Sequence, residues 1–303
     1  MPAVTLLSGG VGGARLARGL AAELGPELTV VVNVGDDEEV YGLHVSPDMD
    51  TVTYTLAGRH GPHGWGVAGD TFVVLGHLAS LGADTTFRLG DADLALNLVR
   101  TDALRRGQPL HTVAAELSAA FGIEPTILPA TNDRLRTVVQ TGAGEWLSFQ
   151  DYFVMRSHRD EVAAVRFDGA AEALPAPGVL DAIGEAAVLM IAPSNPPLSI
   201  WPILSVPAIR AAVQTARRVV AVSPLIGGKA LKGPADAVMA SLGLPPGNAG
   251  VMEAYRGLLT DLVVDDADRA DTRPSGVRVH ATDTRIAEPE RAVRFARWLL
   301  EAL

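Results

Sequence analysis

The sequence predicts an α/β protein built on a doubly wound, Rossmann-like, mostly parallel sheet with helical and small antiparallel insertions. Three observations predict it. Short apolar runs at 4–7, 28–33, 187–191, 219–222 and 262–264 each lead into Gly, Pro, Ser, Asn or Asp, as buried strands do where they end in loops. Helical patterns at 71–81, 94–104, 110–121, 206–217, 234–242 and 289–300 lie between or after these runs. That alternation builds a parallel sheet covered by helices on both faces. Finally, a glycine-rich turn, SGGVGGARLARGL, follows the first run.

That turn joins a strand to a helix, because Leu16, Leu20 and nearby alanines recur at helical spacing. It aims backbone N–H groups and a positive helix end at an anion. Gly9, Gly10, Gly12 and Gly13 let a phosphate approach the backbone closely. A dinucleotide fingerprint starting at Gly10 needs a glycine where Arg15 stands, and no G-K-[ST] of a Walker loop follows. The turn is therefore a phosphate site of another type, or a tight strand–helix connection.

After the second run, VNVGDDEEV places Asn33, Asp36 and Asp37 at a strand end. Adjacent aspartates are costly to crowd unless something positive joins them. A metal, a phosphate-bound Mg²⁺ or simple solvation of an acidic turn satisfies that need. In GLHVSPDMDTVTYTLAG, Pro47 fixes a turn and Asp48 and Asp50 stand two apart. Asp50 suits a helix N-cap, which leaves Asp48 free to ligate a cation or accept a hydroxyl proton.

The middle of the chain differs. Runs at 135–141 and 146–154 flank GAGE, a hairpin signal, and VAAVRFDG follows as a third strand. A small antiparallel insert is expected. FRLGDADLA offers Arg88, with Asp91 or Asp93 as a helix cap. LSFQDYFVMR reads as strand, its Phe149, Tyr152 and Phe153 entering the core or facing a flat heterocycle. Beyond it, APSNPPLSIWPIL sets Ser194 and Asn195 on a proline-stiffened loop, where they can bond a base, ribose or phosphate. In VSPLIGGKALKGPAD, Lys229 and Lys232 sit in a glycine loop before a helix. They suit a phosphate, or they are surface lysines.

Composition narrows the function classes. The 303 residues are 48% hydrophobic and carry a net charge of −10, which argues against a nucleic-acid surface. There is no cysteine, so disulfides, thiolate nucleophiles and Cys-ligated metals are excluded. Zinc-type histidine spacings are absent. A metal here would use oxygen ligands, which suits Mg²⁺. Neither a signal peptide nor a membrane-length apolar run is visible, so a cytoplasmic protein is expected. Residues 1–303 read as one domain, with a nucleotide-binding core over about 1–60 and 180–303 and an inserted region over about 61–179.

Taken in order, SGGVGGARLARGL, NVGDD, GLHVSPDMDTVTYTLAG, GWGVAGDTF, LGDADLALNLVRT, FQDYFV, PSNPPLSIWPIL and VSPLIGGKALKGPA resemble the CofD/FbiA-type transferases of deazaflavin coenzyme F-420 biosynthesis. The resemblance spans nearly the whole chain. It implies a Mg²⁺-dependent, typically dimeric phosphotransferase. In that chemistry the ribityl hydroxyl of the deazaflavin Fo attacks the phosphorus of a guanylylated phospho-acid, and GMP leaves. The acid is 2-phospholactate, phosphoenolpyruvate or 3-phosphoglycerate in different members.

Carried over by motif, the resemblance gives Asp48 and Arg88 contact with Fo. Gly9, Gly10, Gly12 and Gly13 with Ser194 and Asn195 fall on the guanosine diphosphate side, where the residue chemistry of Asn33, Lys229 and Lys232 also suits the nucleotide phosphates. Asp36 and Asp37 fall on the metal, and Asp36 and Asp48 on the catalysis. The inserted region becomes the Fo side. Tyr41 and Asn97 depart from the histidines many relatives carry there. The related family typified by the gluconeogenesis factor YvcK shares the glycine turn and implies a nucleotide-sugar-binding regulator instead. S-P-D-x-D together with F-Q-x-Y-F favours the transferase. A dehydrogenase is disfavoured by the failed dinucleotide fingerprint.

Overall fold

The computed structural model describes residues 3–270 and 276–302. Its centre is an all-parallel sheet of β1 (Val4–Ser8), β2 (Leu28–Val32), β3 (Thr126–Pro129), β4 (Val188–Ile191), β5 (Val219–Val222), β6 (Asp261–Asp265) and β7 (Arg278–Thr282). Among the described residues these seven lie in the order β7-β6-β5-β4-β1-β2-β3. From β1 the chain winds outward through β2 and β3, then returns to lay β4 on the other side of β1. The α/β expectation therefore holds, and the winding reverses between β1 and β4, where open sheets of this kind leave a crevice.

The apolar runs form strands because both faces of the sheet are covered. One core holds Leu6, Val30, Met190 and Val220 against Leu16, Leu20, Phe295 and Leu299. The other holds Leu7, Val31, Leu189 and Ile191 against Ile183, Ile209 and Val213. Successive strand residues thus alternate between the two cores, as a period of two requires. Helix α1 (Gly10–Leu24) packs against the C-terminal helix Pro289–Ala302 on the first face.

Between β2 and β3 lie a short hairpin of Glu38–Val40 and Leu43–Val45, then α2 (Pro47–Leu56), α3 (Val73–Ser80) and α4 (Asp91–Arg105). Asp50 is not the cap expected of it. It sits inside the first turn of α2, after an N-terminal Pro47, and its carboxylate goes to Arg100. Asp91 does cap a helix, but the neighbouring one: it accepts from the amides of Val73 and Val74, while Asp70 accepts from those of Ala92 and Asp93. Each helix start is thus satisfied from the other's approach loop.

The antiparallel insert has the strands Trp146–Ser148, Arg136–Thr141 and Val162–Asp168, side by side in that order. The expected second strand stops early. Asp151–Met155 is a π-helical turn, and the spacing of four between Phe149 and Phe153 stacks their rings at 5.3 Å between centroids. Tyr152 points the other way and is buried. Among the described residues, no helix is long and apolar enough to cross a membrane.

Candidate active site

A cavity of about 870 Å³ opens at the carboxyl ends of the strands, over the β1/β4 crevice. Its floor is Gly9, Gly10 and Gly12 on one side and Pro193, Ser194 and Asn195 on the other. Gly10 begins α1 with φ +65°, a backbone angle that favours glycine. Gly12 is needed for close approach: a Cβ there would lie 2.2 Å from the backbone oxygen of Pro193. Ser194 ties the two sides together, since its Oγ donates to the Gly9 carbonyl at 2.6 Å and accepts the Gly9 amide at 3.3 Å.

The anion nearest this turn belongs to the protein. The Gly10 amide donates to Asp48 Oδ1 at 2.6 Å. Asn33 Nδ2 donates to Asp48 Oδ2 at 2.9 Å and to Asp36 Oδ1 at 3.2 Å. One amide group therefore holds two carboxylates side by side, and its own Oδ1 is fixed by the Gly35 amide at 2.8 Å. Asp36 and Asp48 are both buried and both line the cavity. Neither has an ion-pair partner within 4 Å among the described residues. Burial pushes Asp48 up to about 6, against the hydrogen bonds from Asn33 and Gly10 that favour its charge. Burial, then the charges of Asp48 and Asp37, raise Asp36 well above the usual carboxylate range.

Cations line the same cavity: Arg15, Lys232, Arg285 and Arg291, with Glu288 among them. Arg15 is half-buried, has no hydrogen bond among the described residues, and is lowered by burial with Glu288 as its only opposing influence. Burial and then Arg15 hold Lys232 below its ordinary value. Burial, Arg18 and Arg15 do the same to His60. The lining also carries the aromatic side chains of Tyr54, Phe87, Phe149 and Phe153.

A profile of the CofD family, described as 2-phospho-L-lactate transferase CofD, matches residues 4–295. The chain belongs to the CofD family. A 2-phospho-L-lactate transferase of Methanopyrus kandleri is 42% identical over 98% of this chain and 96% of its own. A phosphoenolpyruvate transferase of Streptomyces griseus is 40% identical over 98% and 97%. Among solved structures, a member of the UPF0052 family from Bacillus halodurans superposes with a TM-score of 0.65 at 18% identity, covering 99% of both chains. That likeness is one of fold.

Within this CofD-family chain the sequence-predicted residues separate into groups. Gly9, Gly10, Gly12, Asp36, Asp48, Arg88, Ser194, Asn195 and Lys232 all line the cavity. Arg88 lies over the ring of Phe72, 4.7 Å from its centroid, and Lys232 Nζ donates to the His63 carbonyl at 3.1 Å. Asn195 also caps the turn that follows it, accepting from the Leu198 amide. Four residues stand elsewhere. Asp37 turns away to Ser46 Oγ at 2.5 Å and His44 Nε2 at 2.9 Å. Asn33 spends its side chain on carboxylates. Gly13 packs against Ser8 and Ser194, where a Cβ would lie 2.3 Å from Ser8 Oγ. Lys229 is exposed in a two-residue strand and does not line the cavity.

Sequence reasoning missed Arg15, Arg285 and Arg291. Arg15 had a signal: it is the residue that breaks the dinucleotide fingerprint, one turn into α1 from the glycines.

Proposed function

We propose that this chain is a transferase of coenzyme F-420 biosynthesis that moves a phospho-acid from its guanylylated form to the ribityl hydroxyl of Fo. The carrying observation is a single cavity lined by paired carboxylates, several cations and aromatic rings. The cations suit a diphosphate-linked acid, the rings suit a deazaflavin, and the carboxylates suit the hydroxyl.

Phosphoryl transfer asks the protein for positioning and charge stabilisation. Asp48 is held on both oxygens, by Gly10 and Asn33, so its remaining lone pairs are aimed rather than mobile. A carboxylate near 6 is a base poised close to neutral pH. It accepts the hydroxyl hydrogen and aligns the oxygen. That oxygen bonds to phosphorus, the bond from phosphorus to the GMP oxygen breaks, and GMP departs with the electron pair.

The residues present fit a divalent cation. Buried Asp36, with raised proton affinity and no ion-pair partner among the described residues, would hold Mg²⁺, whereas Asp37 is turned away to Ser46 and His44 and Asp48 keeps the hydroxyl. Among the described residues no group of three or more acidic or histidine side chains is placed for a metal, so the protein would supply only part of its ligands. When bound, Mg²⁺ neutralises charge on the phosphoryl oxygens.

A cytoplasmic homodimer completes the proposal. Exposed Val73 and Val74 of α3, with Leu98 and Val99 of the adjoining α4, offer the apolar contact, and sedimentation of the purified chain checks it. The decisive experiment incubates the protein with Fo, GTP, Mg²⁺, the matching guanylyltransferase and each of 2-phospholactate, phosphoenolpyruvate and 3-phosphoglycerate. Mass spectrometry of the product names the acid, and excess EDTA abolishes its formation. No product with any acid, alongside tight nucleotide-sugar binding, replaces this reading with the regulator.

A further inference from the structure

Asp93 is a polar feature of the cavity that the reaction above does not use. It lies in the first turn of α4 and faces the cavity beside Tyr54, Phe87 and Leu89. Its Oδ1 is occupied twice, by the Tyr54 hydroxyl at 2.8 Å and by Asn97 Nδ2 at 3.3 Å. Both donors are themselves fixed. Asn97 Oδ1 accepts from Arg100 at 2.7 Å, and Arg100 also engages both oxygens of Asp50. Burial, then the charges of Asp50 and Asp93, keep the Tyr54 hydroxyl protonated, so it remains a donor. The Asp93 amide is pinned to Asp70 at 3.1 Å. Asp93 Oδ2 alone has no hydrogen-bond partner among the described residues.

Such an oxygen, an acceptor with no protein donor beside the aromatic side chains that line the cavity, suits a donor carried on a flat ring. We propose that Asp93 determines specificity for the heterocycle of the acceptor substrate, its Oδ2 accepting a hydrogen bond from an imide-type ring N–H. The inference rests on the transfer reading, which supplies a deazaflavin as the ring. It assigns Asp93 to ring recognition and leaves Asp48 with the ribityl hydroxyl. Asn97, where many relatives carry histidine, acts here as a positioning residue through its bond to Asp93.

The test is binding, followed by Fo fluorescence on the intact chain without turnover. Asp93→Asn keeps the shape but inverts the polarity: its carbonyl must take the Tyr54 and Asn97 donors, which turns an NH₂ toward the cavity. Fo affinity is expected to fall about 10–100-fold, while calorimetric affinity for GDP stays unchanged. Wild-type protein should discriminate by a similar factor against an Fo analogue alkylated at the imide nitrogen, and Asp93→Asn should lose that discrimination. Tyr54→Phe, which frees Oδ1 but leaves the carboxylate, is expected to cost less, up to about 10-fold, and guards against a fold defect in the first variant. Asp93→Asn that binds Fo as wild type does, or that weakens Fo and the alkylated analogue equally, overturns the inference. Wild-type protein that fails to bind Fo at all overturns the transfer reading and this inference with it.

Discussion

Asp261 and Asp48 are both buried aspartates, placed at opposite ends of the sheet, and their surroundings are opposite. Asp261 opens β6 at the amino ends of the strands. It accepts from Arg278 at 2.9 and 2.8 Å, His280 at 2.8 Å, Thr260 at 2.7 Å and Arg218 at 3.3 and 3.4 Å. Burial by itself raises such a group, but these donors hold it well below the usual carboxylate range. Asp48, at the carboxyl ends, has two neutral donors and a carboxylate neighbour, and sits near 6. Burial alone therefore says nothing about role. A buried acid whose counter-charge is built into the protein staples the fold. One whose counter-charge is missing stores a demand that a ligand or cation meets.

Asp48→Asn draws the contrast most sharply. It mimics the protonated acid and keeps the Gly10 bond, and its NH₂ gives up the Asn33 bond for one to Asp36. Turnover is expected to fall about 10²–10⁴-fold, while the melting temperature in EDTA at neutral pH equals or exceeds that of wild type. A variant that melts earlier would make Asp48 a staple like Asp261 and erase the distinction.

Asp261→Asn should do the reverse. Stability falls by roughly 2–4 kcal/mol, below the full cost of breaking a buried ion pair because Arg278 is largely exposed, and turnover per folded molecule is unchanged. The pH dependences also have opposite signs. The depressed Asp261 contributes stability above the unfolded carboxylate value of about 3.9 and loses it as pH falls through its folded value. The gap between wild type and Asp261→Asn should therefore close in acid. The raised Asp48 contributes below about 3.9 and loses that contribution as pH rises through about 6. The advantage of Asp48→Asn should grow across that window and then level off. Denaturant midpoints measured from pH 2 to 8 in EDTA check both slopes.

Gly12→Ala probes the floor between these ends. Its methyl meets the Pro193 carbonyl, so a loss of about 1–3 kcal/mol in stability is expected, with GDP affinity falling only as the turn is displaced. Affinity lost at full stability would return the glycine to a purely phosphate-facing role. The smallest effects separate the two lysines. Lys232→Ala is expected to weaken GDP binding by about 10-fold, and Lys229→Ala by less than about twofold, because only Lys232 faces the cavity. Equal effects in calorimetry would place the cationic lining elsewhere.

The sheet was legible where it is central. The runs at β1, β2, β4, β5 and β6 are apolar because both faces are covered. The two unread strands, β3 and β7, are its edges. TILP is short and ends in proline, and RVHAT alternates with Arg278 and His280 serving Asp261. An edge strand needs less apolar sequence and so leaves a weaker signal. In the site, motifs located Asp36, Asp48 and the glycines, but local sequence did not tell Asp36 from Asp37. What separates them is the direction of a side chain, set by Ser46 and His44 from the following hairpin. The run 146–154 reads as one strand beside the hairpin signal, yet only Trp146–Ser148 is strand; the spacing of four between Phe149 and Phe153 is the helical clue. Arg285 and Arg291 reach the cavity only through the path of the chain after β7.

The central pair of the sheet, β1 and β4, joins Val4 to Val188. On the ribosome, β1 finds β2 within a few dozen residues, but its other flank waits for more than half of the chain. For that interval an interior strand of the finished sheet is an edge strand, apolar on both faces and open to any partner. Nascent chains halted before β4 carry the glycine turn and both cavity carboxylates, yet lack the Pro193–Asn195 side of the floor. They should therefore aggregate rather than accumulate as a half-active fragment, and expression yield should depend on how quickly translation passes that point.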